Sequence, residues 1–464
     1  MKQYLSDLKE MRSYLLLWFT QMISGLGSAM TGYALVVWSY TREGSALRTA
    51  LLMVCSYAPY VICSIFAGAL SDRWDKKKTM LWCDTLAALG TLAVWLLLKA
   101  GCLQIWHLYI VNAMSGLMNT VQQPASEVAT TALLPRRFYQ RVGGLRYLSS
   151  SVTSILTPIF ATAVLGLWGM DAVVAIDLAS FLIAFVTLLF FIPIPRTDAS
   201  GKTDGVLKSA AEGIRWLKRN PGILHLMLFL AGINLVASMY NAAFPAMVLS
   251  KVSEWAMGVV NTVIGISTLL GSILASFMKT PRSRVKAIWS CLMLSMCTEN
   301  FCLAFSGRVW VWCFGAFLGW VSIPWMNANL DAINRLSIPA EIQGRVFAAR
   351  NAFQFFTIPL GYFLGGLLVD AVFEPVMATQ SGDSLLTRLF GAGKGSGAAF
   401  LFAVLWLMGV GVCLLFRGDP HIWKMDGEGY YHQRLTNNKI SPELVRARHA
   451  SNSGLCSCNM PCCF

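Results

Sequence analysis

The chain has 464 residues, a length that in a water-soluble protein suggests about three domains, but 56% of them are hydrophobic, 13% are charged, and the mean hydropathy is +0.57. Soluble domains carry roughly 25% charged residues, so the composition excludes that class and puts the chain in a membrane. The net charge of +14 would suit a nucleic-acid binder, but the placement of the basic residues argues against one.

Apolar stretches recur along the chain, each long enough to cross about 30 Å of hydrocarbon at 1.5 Å per residue. Lipid offers no partner for backbone groups, and the stretches are too long for barrel strands, so each is expected as a helix. The first, 13–39, carries Gln21, Ser24, Ser28 and Thr31 at three- and four-residue spacing, which is one helix face. The second, 47–70, runs into "GALSDRWDKKK". The third, 79–101, holds Asp84 a little over one turn inside, and the fourth, 104–134, carries a second polar face of Asn112, Ser115, Asn119 and Gln122. Next come 142–168, with Pro158, and 170–193, with Asp177. After a charged connection come 222–250, with Asn234, Ser238, Tyr240 and Asn241; 256–278; and 285–306, whose Glu299 is expected to snorkel outward beside Asn300. The last three are 309–335, with Ser322, Trp325 and Asn329, then 344–370 and 397–417. The tail is short and polar, and its "CSCNMPCCF" is read as reduced thiols rather than a metal site. No metal or cofactor is expected.

With the N-terminus inside and the spans alternating, the outer segments keep only Arg42, Arg48, Lys99, Lys251, Arg308, Arg388 and Lys394 of the 37 Lys and Arg residues. This positive-inside pattern predicts a plasma-membrane protein with both termini cytoplasmic and no nucleic-acid partner. The inner basic residues make membrane lipid a partner instead. The chain also repeats itself: Pro135 precedes Arg141 as Pro339 precedes Arg345, Glu127 falls on Asp331, and Ser24, Ser28 and Thr31 fall on Asn234, Ser238 and Asn241. The predicted fold is therefore all-α integral membrane, with twelve transmembrane helices in two pseudo-symmetric six-helix halves. The halves span 1–194 and 222–417, joined by a cytoplasmic linker, 195–221, and followed by a cytoplasmic tail, 418–464, expected to be mostly unstructured. Repeated halves are a transporter signature, with the substrate site at their interface near mid-membrane. The polar faces supply the cavity candidates: Gln21, Ser24, Ser28, Asn112, Asn119, Asn234, Tyr240, Asn241, Trp325 and Asn329. Hydrogen bonding between packed helices is the competing account of each.

"GALSDRWDKKK" resembles the loop between the second and third spans of the major facilitator superfamily. "FTQMISGLGSAMTGYALVVW", "AIDLASFLIAF", "EGIRWLKRNPGILHLMLFLAGIN" and "EIQGRVFAARNAFQFFTIPLGYFLGG" resemble the branch that contains macrolide-efflux and enterobactin-exporter proteins. The resemblance implies a gating latch of Gly68, Asp72, Arg73, Lys76, Lys77 and Glu127 at the cytoplasmic seam. In it Asp72 meets the N-terminus of the eleventh span, Arg73 meets Glu127, and the lysines Lys76 to Lys78 face lipid headgroups. Asp75 departs from the glycine usual there, and is expected to tighten or distort the turn. The span around Pro158 lacks the glycine-rich pattern of drug/proton antiporters, which weakens the case for antiport.

Buried acids are costly and default to a functional role, so Asp177, then Asp84, are the proton-coupling candidates. The function expected is export of amphipathic small molecules of drug or macrolide type by a monomeric, proton-coupled secondary transporter. A siderophore or lysophospholipid transporter of the same fold is the alternative. A sensor would carry a folded soluble domain. An enzyme would carry a cluster of reactive side chains, and the histidines are scattered, so neither is expected.

Overall fold

The computed structural model describes residues 10–134, 139–194, 206–278, 281–338, 346 and 353–426. Within these, the side chains of 64–73, 124, 127–128, 131–132, 139–144, 146–147, 206–211, 335–336 and 426 lie outside the description. Nine helical spans among the described residues are long and apolar enough to cross a membrane, and the described elements are all helices. In chain order they are α1 (Arg12–Glu43), α2 (Ala46–Arg73), α3 (Lys76–Lys99), α4 (Ile105–Leu133), α5 (Tyr139–Phe191), α6 (Val206–Arg219), α7 (Pro221–Lys251) and α8 (Glu254–Phe277). Then follow α9 (Arg284–Phe305), α10 (Val309–Val321), α11 (Ile323–Ser337), α12 (Thr357–Leu368), a π-helical turn (Val369–Phe373), α13 (Glu374–Ala378), α14 (Leu385–Phe390), α15 (Ser396–Arg417) and α16 (Pro420–Trp423).

Local chemistry sets several of these ends. Gly44, at φ 63°, takes the left-handed conformation that stops α1. Asp75 begins α3 as its N-cap, its Oδ1 accepting from Lys78 N at 3.0 Å. α5 is two arms. Trp18 Nε1 donates to Leu145 O near one end, while Leu17 packs with Leu188 and Ile192 near the other. In one straight helix Leu145 and Ile192 would stand roughly 70 Å apart at 1.5 Å per residue, so the run folds back. It does so at Gly169, whose φ of 75° suits glycine.

The helices sort into two packing groups. α1 packs on α5, α2 on α4, and α3 on α4 and α5; in the other group α7 packs on α12 and α15, and α9 on α10, α11 and α15. α2 against α12, α5 against α8 and α1 against α7 join the groups. Glycine permits two of these crossings. A Cβ at Gly265 of α8 would meet Ser154 O of α5 at 2.9 Å, and one at Gly366 of α12 would meet Leu47 Cα of α2 at 2.6 Å. The main apolar core surrounds α7, with Trp312 and Phe402 fully buried against it.

Three expectations change. The stretch expected to end at 370 continues through the π turn to Ala378, because Asp370 is hydrogen-bonded rather than solvated. The first turns of the tail are helical, since Asp419 caps α16 through His421 N at 2.8 Å and pairs with His225 Nδ1 of α7 at 2.6 Å. Glu299 does not snorkel. It is 6% exposed and accepts from Trp320 Nε1 at 2.9 Å.

Candidate substrate cavity and its closed side

Along α1, Trp18, Met22, Gly25, Ala29 and Tyr33 share one face and border a cavity of about 740 Å³. Gln123, Ser126 and Thr130 of α4 and Ser149, Ser150, Thr153, Ser154 and Thr157 of α5 add a hydroxyl-rich wall, and Asn261, Ile264 and Gly265 of α8 complete the lining. One wall is thus aromatic and apolar, the other neutral and polar, and no charged side chain among the described residues lines either. Tyr33 and Asn261 also border a second cavity of about 150 Å³, with Thr49, Asn241, Phe244 and Tyr362. These two side chains therefore stand between the chambers, and they come from different packing groups.

Beyond the smaller chamber, at the Gly44 end of α1, the groups are held together. Tyr40 Oη and Ser250 Oγ are hydrogen-bonded at 2.7 Å, and Lys394 Nζ lies 5.6 Å from the centre of the Tyr40 ring. Asp370 accepts from Ser45 Oγ at 2.5 Å, Ala46 N at 3.0 Å and Leu47 N at 2.9 Å.

The intramembrane acids stand behind the α1 face next to the one that borders the cavity. Asp84 accepts from Gln21 Nε2 at 3.2 Å and from Gln122 Nε2. Gln21 borders the large cavity, so Asp84 lies one hydrogen bond behind its wall. Asp177 accepts from Ser28 Oγ at 2.9 Å and Thr91 Oγ1 at 3.3 Å, and none of these residues borders either chamber.

The cavity candidates therefore divide. Gln21 borders the large chamber and Asn241 the small one. Asn119 is exposed and shares its helix face with Gln123 and Ser126, but borders neither chamber. The other candidates border neither chamber. Ser24 borders neither chamber and Ser28 donates to Asp177, on the α1 face that meets α3 at Asp84 and α5 at Asp177. Asn112 donates to Leu108 O and Asn329 to Trp325 O within their own helices, and Asn234 bridges to Gln354 O at 3.0 Å. Tyr240 is 6% exposed, packed on Phe244 and Phe402, and Trp325 packs on the main core. Reading for amides missed Tyr33, Asn261 and the serine and threonine wall of α5. The one available signal was the recurrence of Ser149, Thr153 and Thr157 at four-residue spacing.

Of the expected latch, the side chains of Gly68, Asp72, Arg73 and Glu127 lie outside the described residues. Lys76 is 6% exposed, its Nζ donating to Trp74 O. Lys77 Nζ donates to Leu189 O at 3.0 Å and Ile192 O at 2.8 Å. Its charge thus sits at the carbonyl end of α5, where a helix favours positive charge.

Comparisons with known proteins agree on the family. Over 363 residues the chain is 24% identical to macrolide efflux protein A of Streptococcus pyogenes, covering 77% of this chain and 89% of that one. It is 23% identical to the enterobactin exporter EntS of Escherichia coli, covering 82% and 91%. The crystal structure of a POT family transporter superposes with a TM-score of 0.63 at 11% identity, over 88% of this chain and 96% of that one, which shows a shared fold. The Major Facilitator Superfamily model matches residues 17–298, and the chain is accordingly a multi-pass membrane transporter belonging to that superfamily.

Proposed function

We propose that this transporter exports neutral, amphipathic small molecules across the plasma membrane by alternating access, driven by protons. In this reading twelve helices form two six-helix halves, 1–194 and 222–417, with linker and termini in the cytoplasm, and the chain works as a monomer. The observation that carries it is the cavity of about 740 Å³ between the packing groups, lined by aromatic side chains together with hydroxyls and amides. Such a lining suits a compound with an apolar body and neutral hydrogen-bonding groups. The seal at the Gly44 end supports an inward-facing state, since the Tyr40–Ser250 and Asp370 contacts lie on the side that the basic-residue pattern makes external.

The relatives' names, a macrolide efflux protein and an enterobactin exporter, support export. A siderophore is the weaker fit, because an anionic chelator calls for cationic partners and the described lining has none. For coupling, geometry favours Asp84 over Asp177, since Asp84 is tied to the cavity wall through Gln21. Accumulation of an unmodified macrolide in everted vesicles, with and without an imposed proton gradient, tests the reading. Gradient-dependent uptake is expected, and gradient-independent uptake would remove the coupling.

A further inference from the structure

Asp370 is the second residue of the π-helical turn Val369–Phe373. Such turns insert a residue into a helix and are frequent at functional sites. Its carboxylate points across to the start of α2. Oδ1 accepts from Ala46 N, and Oδ2 accepts from Leu47 N and Ser45 Oγ. Ala46 and Leu47 supply N–H groups that have no partner within α2, at the helix end where negative charge is favoured. Ser45 Oγ accepts in turn from Arg48 N at 3.1 Å, so the acid and the serine together complete the first turn. One turn earlier on α12, Gly366 lets the two backbones meet at Leu47.

We infer that Asp370 is a gating residue, a carboxylate latch that closes this end of the path by capping α2 and that is released when the cavity opens the other way. All three donors belong to the opposite packing group, so parting α2 from α12 at this end breaks every one of these bonds together. Each freed group then meets water, so the latch sets the ratio of two states and does not fix one. The inference rests on reading the cavity as a transport path with two accessible states. It does not depend on which compound is carried.

The test is labelling by a membrane-impermeant maleimide, in a background with the native span cysteines replaced. Asn241→Cys reports the small chamber and Trp18→Cys the large one, each treated from either side in right-side-out and inverted vesicles. Losing a charged acceptor shifts the state ratio roughly tenfold or more. Asp370→Ala should therefore speed labelling of Asn241→Cys from the Gly44 side and slow labelling of Trp18→Cys from the other. Ser45→Ala should shift both in the same directions by less. Unchanged rates, or both rates rising together as in a generally loosened protein, would overturn the latch. Gains arriving from the opposite faces would keep the latch and reverse the proposed orientation. If Asp370→Ala does not accumulate, Ser45→Cys with Asp370→Cys gives a second arm. Oxidation should then hold Asn241→Cys unreactive and Trp18→Cys reactive until a reductant is added, and free labelling of Asn241→Cys with the bridge formed overturns the proposal.

Discussion

Gln21 faces two environments, bordering the cavity and donating to Asp84. If Asp84 carries the proton, Asp84→Asn should abolish gradient-driven accumulation in vesicles while downhill exchange persists, because an amide cannot cycle. Asp177→Asn should keep most accumulation, since its donors Ser28 and Thr91 can still pair with an amide oxygen. Accumulation surviving in Asp84→Asn and lost in Asp177→Asn would reverse the assignment. A second contrast separates cavity from packing. Asn261→Leu removes a polar group between the chambers and should cost about 1 kcal/mol of substrate binding, roughly a fivefold rise in KM, at normal protein level. Asn329 is 4% exposed and bonded to Trp325 O, so Asn329→Leu should lower the melting temperature in detergent and leave KM in place. Spacing made the polar face of α1 legible in the sequence. It could not reveal that this face would meet Asp84 and Asp177, because periodicity fixes direction around one helix and says nothing of the neighbour.

At the level of elements, length and hydropathy were enough to locate the spans, and the caps at Asp75 and the stop at Gly44 follow from residue type. The extension of α12 through its π turn was not legible, because Asp370 reads as a solvated span end until α2 is seen to satisfy it. The turn at 420–426 was hidden for the same reason, its partner being His225, far away in sequence. Partial burial alone would push the Asp419 carboxyl up, but the hydrogen bonds from His225 and from the N–H groups of His421 and Ile422 outweigh it and hold the carboxyl below its ordinary value. A carboxyl depressed in the folded state contributes stability above its free pKa of about 3.9 and loses it as pH falls through the folded value. Amide exchange at Ile422 should therefore stay slow at neutral pH and lose protection in acid. Asp419→Asn should lose that protection at neutral pH as well; equal protection in the variant would mean that apolar packing holds the turn.

On the scale of the whole transporter, α2 touches the other packing group along α12. One end of this pair is held by Asp370, and the resemblance implies that Asp72 holds the other. In a pair that rocks as a unit, opening at one end accompanies closure at the other, so the free energies of two such latches oppose each other in the state ratio. Asp72→Asn should move the Asn241→Cys and Trp18→Cys labelling rates opposite to Asp370→Ala, and the double variant should return both toward their starting values. Rates in the double variant as displaced as in Asp370→Ala alone would show that Asp72 does not act on this equilibrium.

The described lining of the large cavity carries no charged side chain, which has a consequence for how selection responds to the medium. Mobile ions screen fields over about 10 Å at 0.1 M salt, and a wall of hydroxyls, amides and rings presents little field to screen. Affinity for a neutral cargo should then be indifferent to ionic strength and follow how readily the compound leaves water. Burial of its apolar body would appear as a negative heat-capacity change on binding, so that discrimination among cargoes varies with temperature far more than with salt.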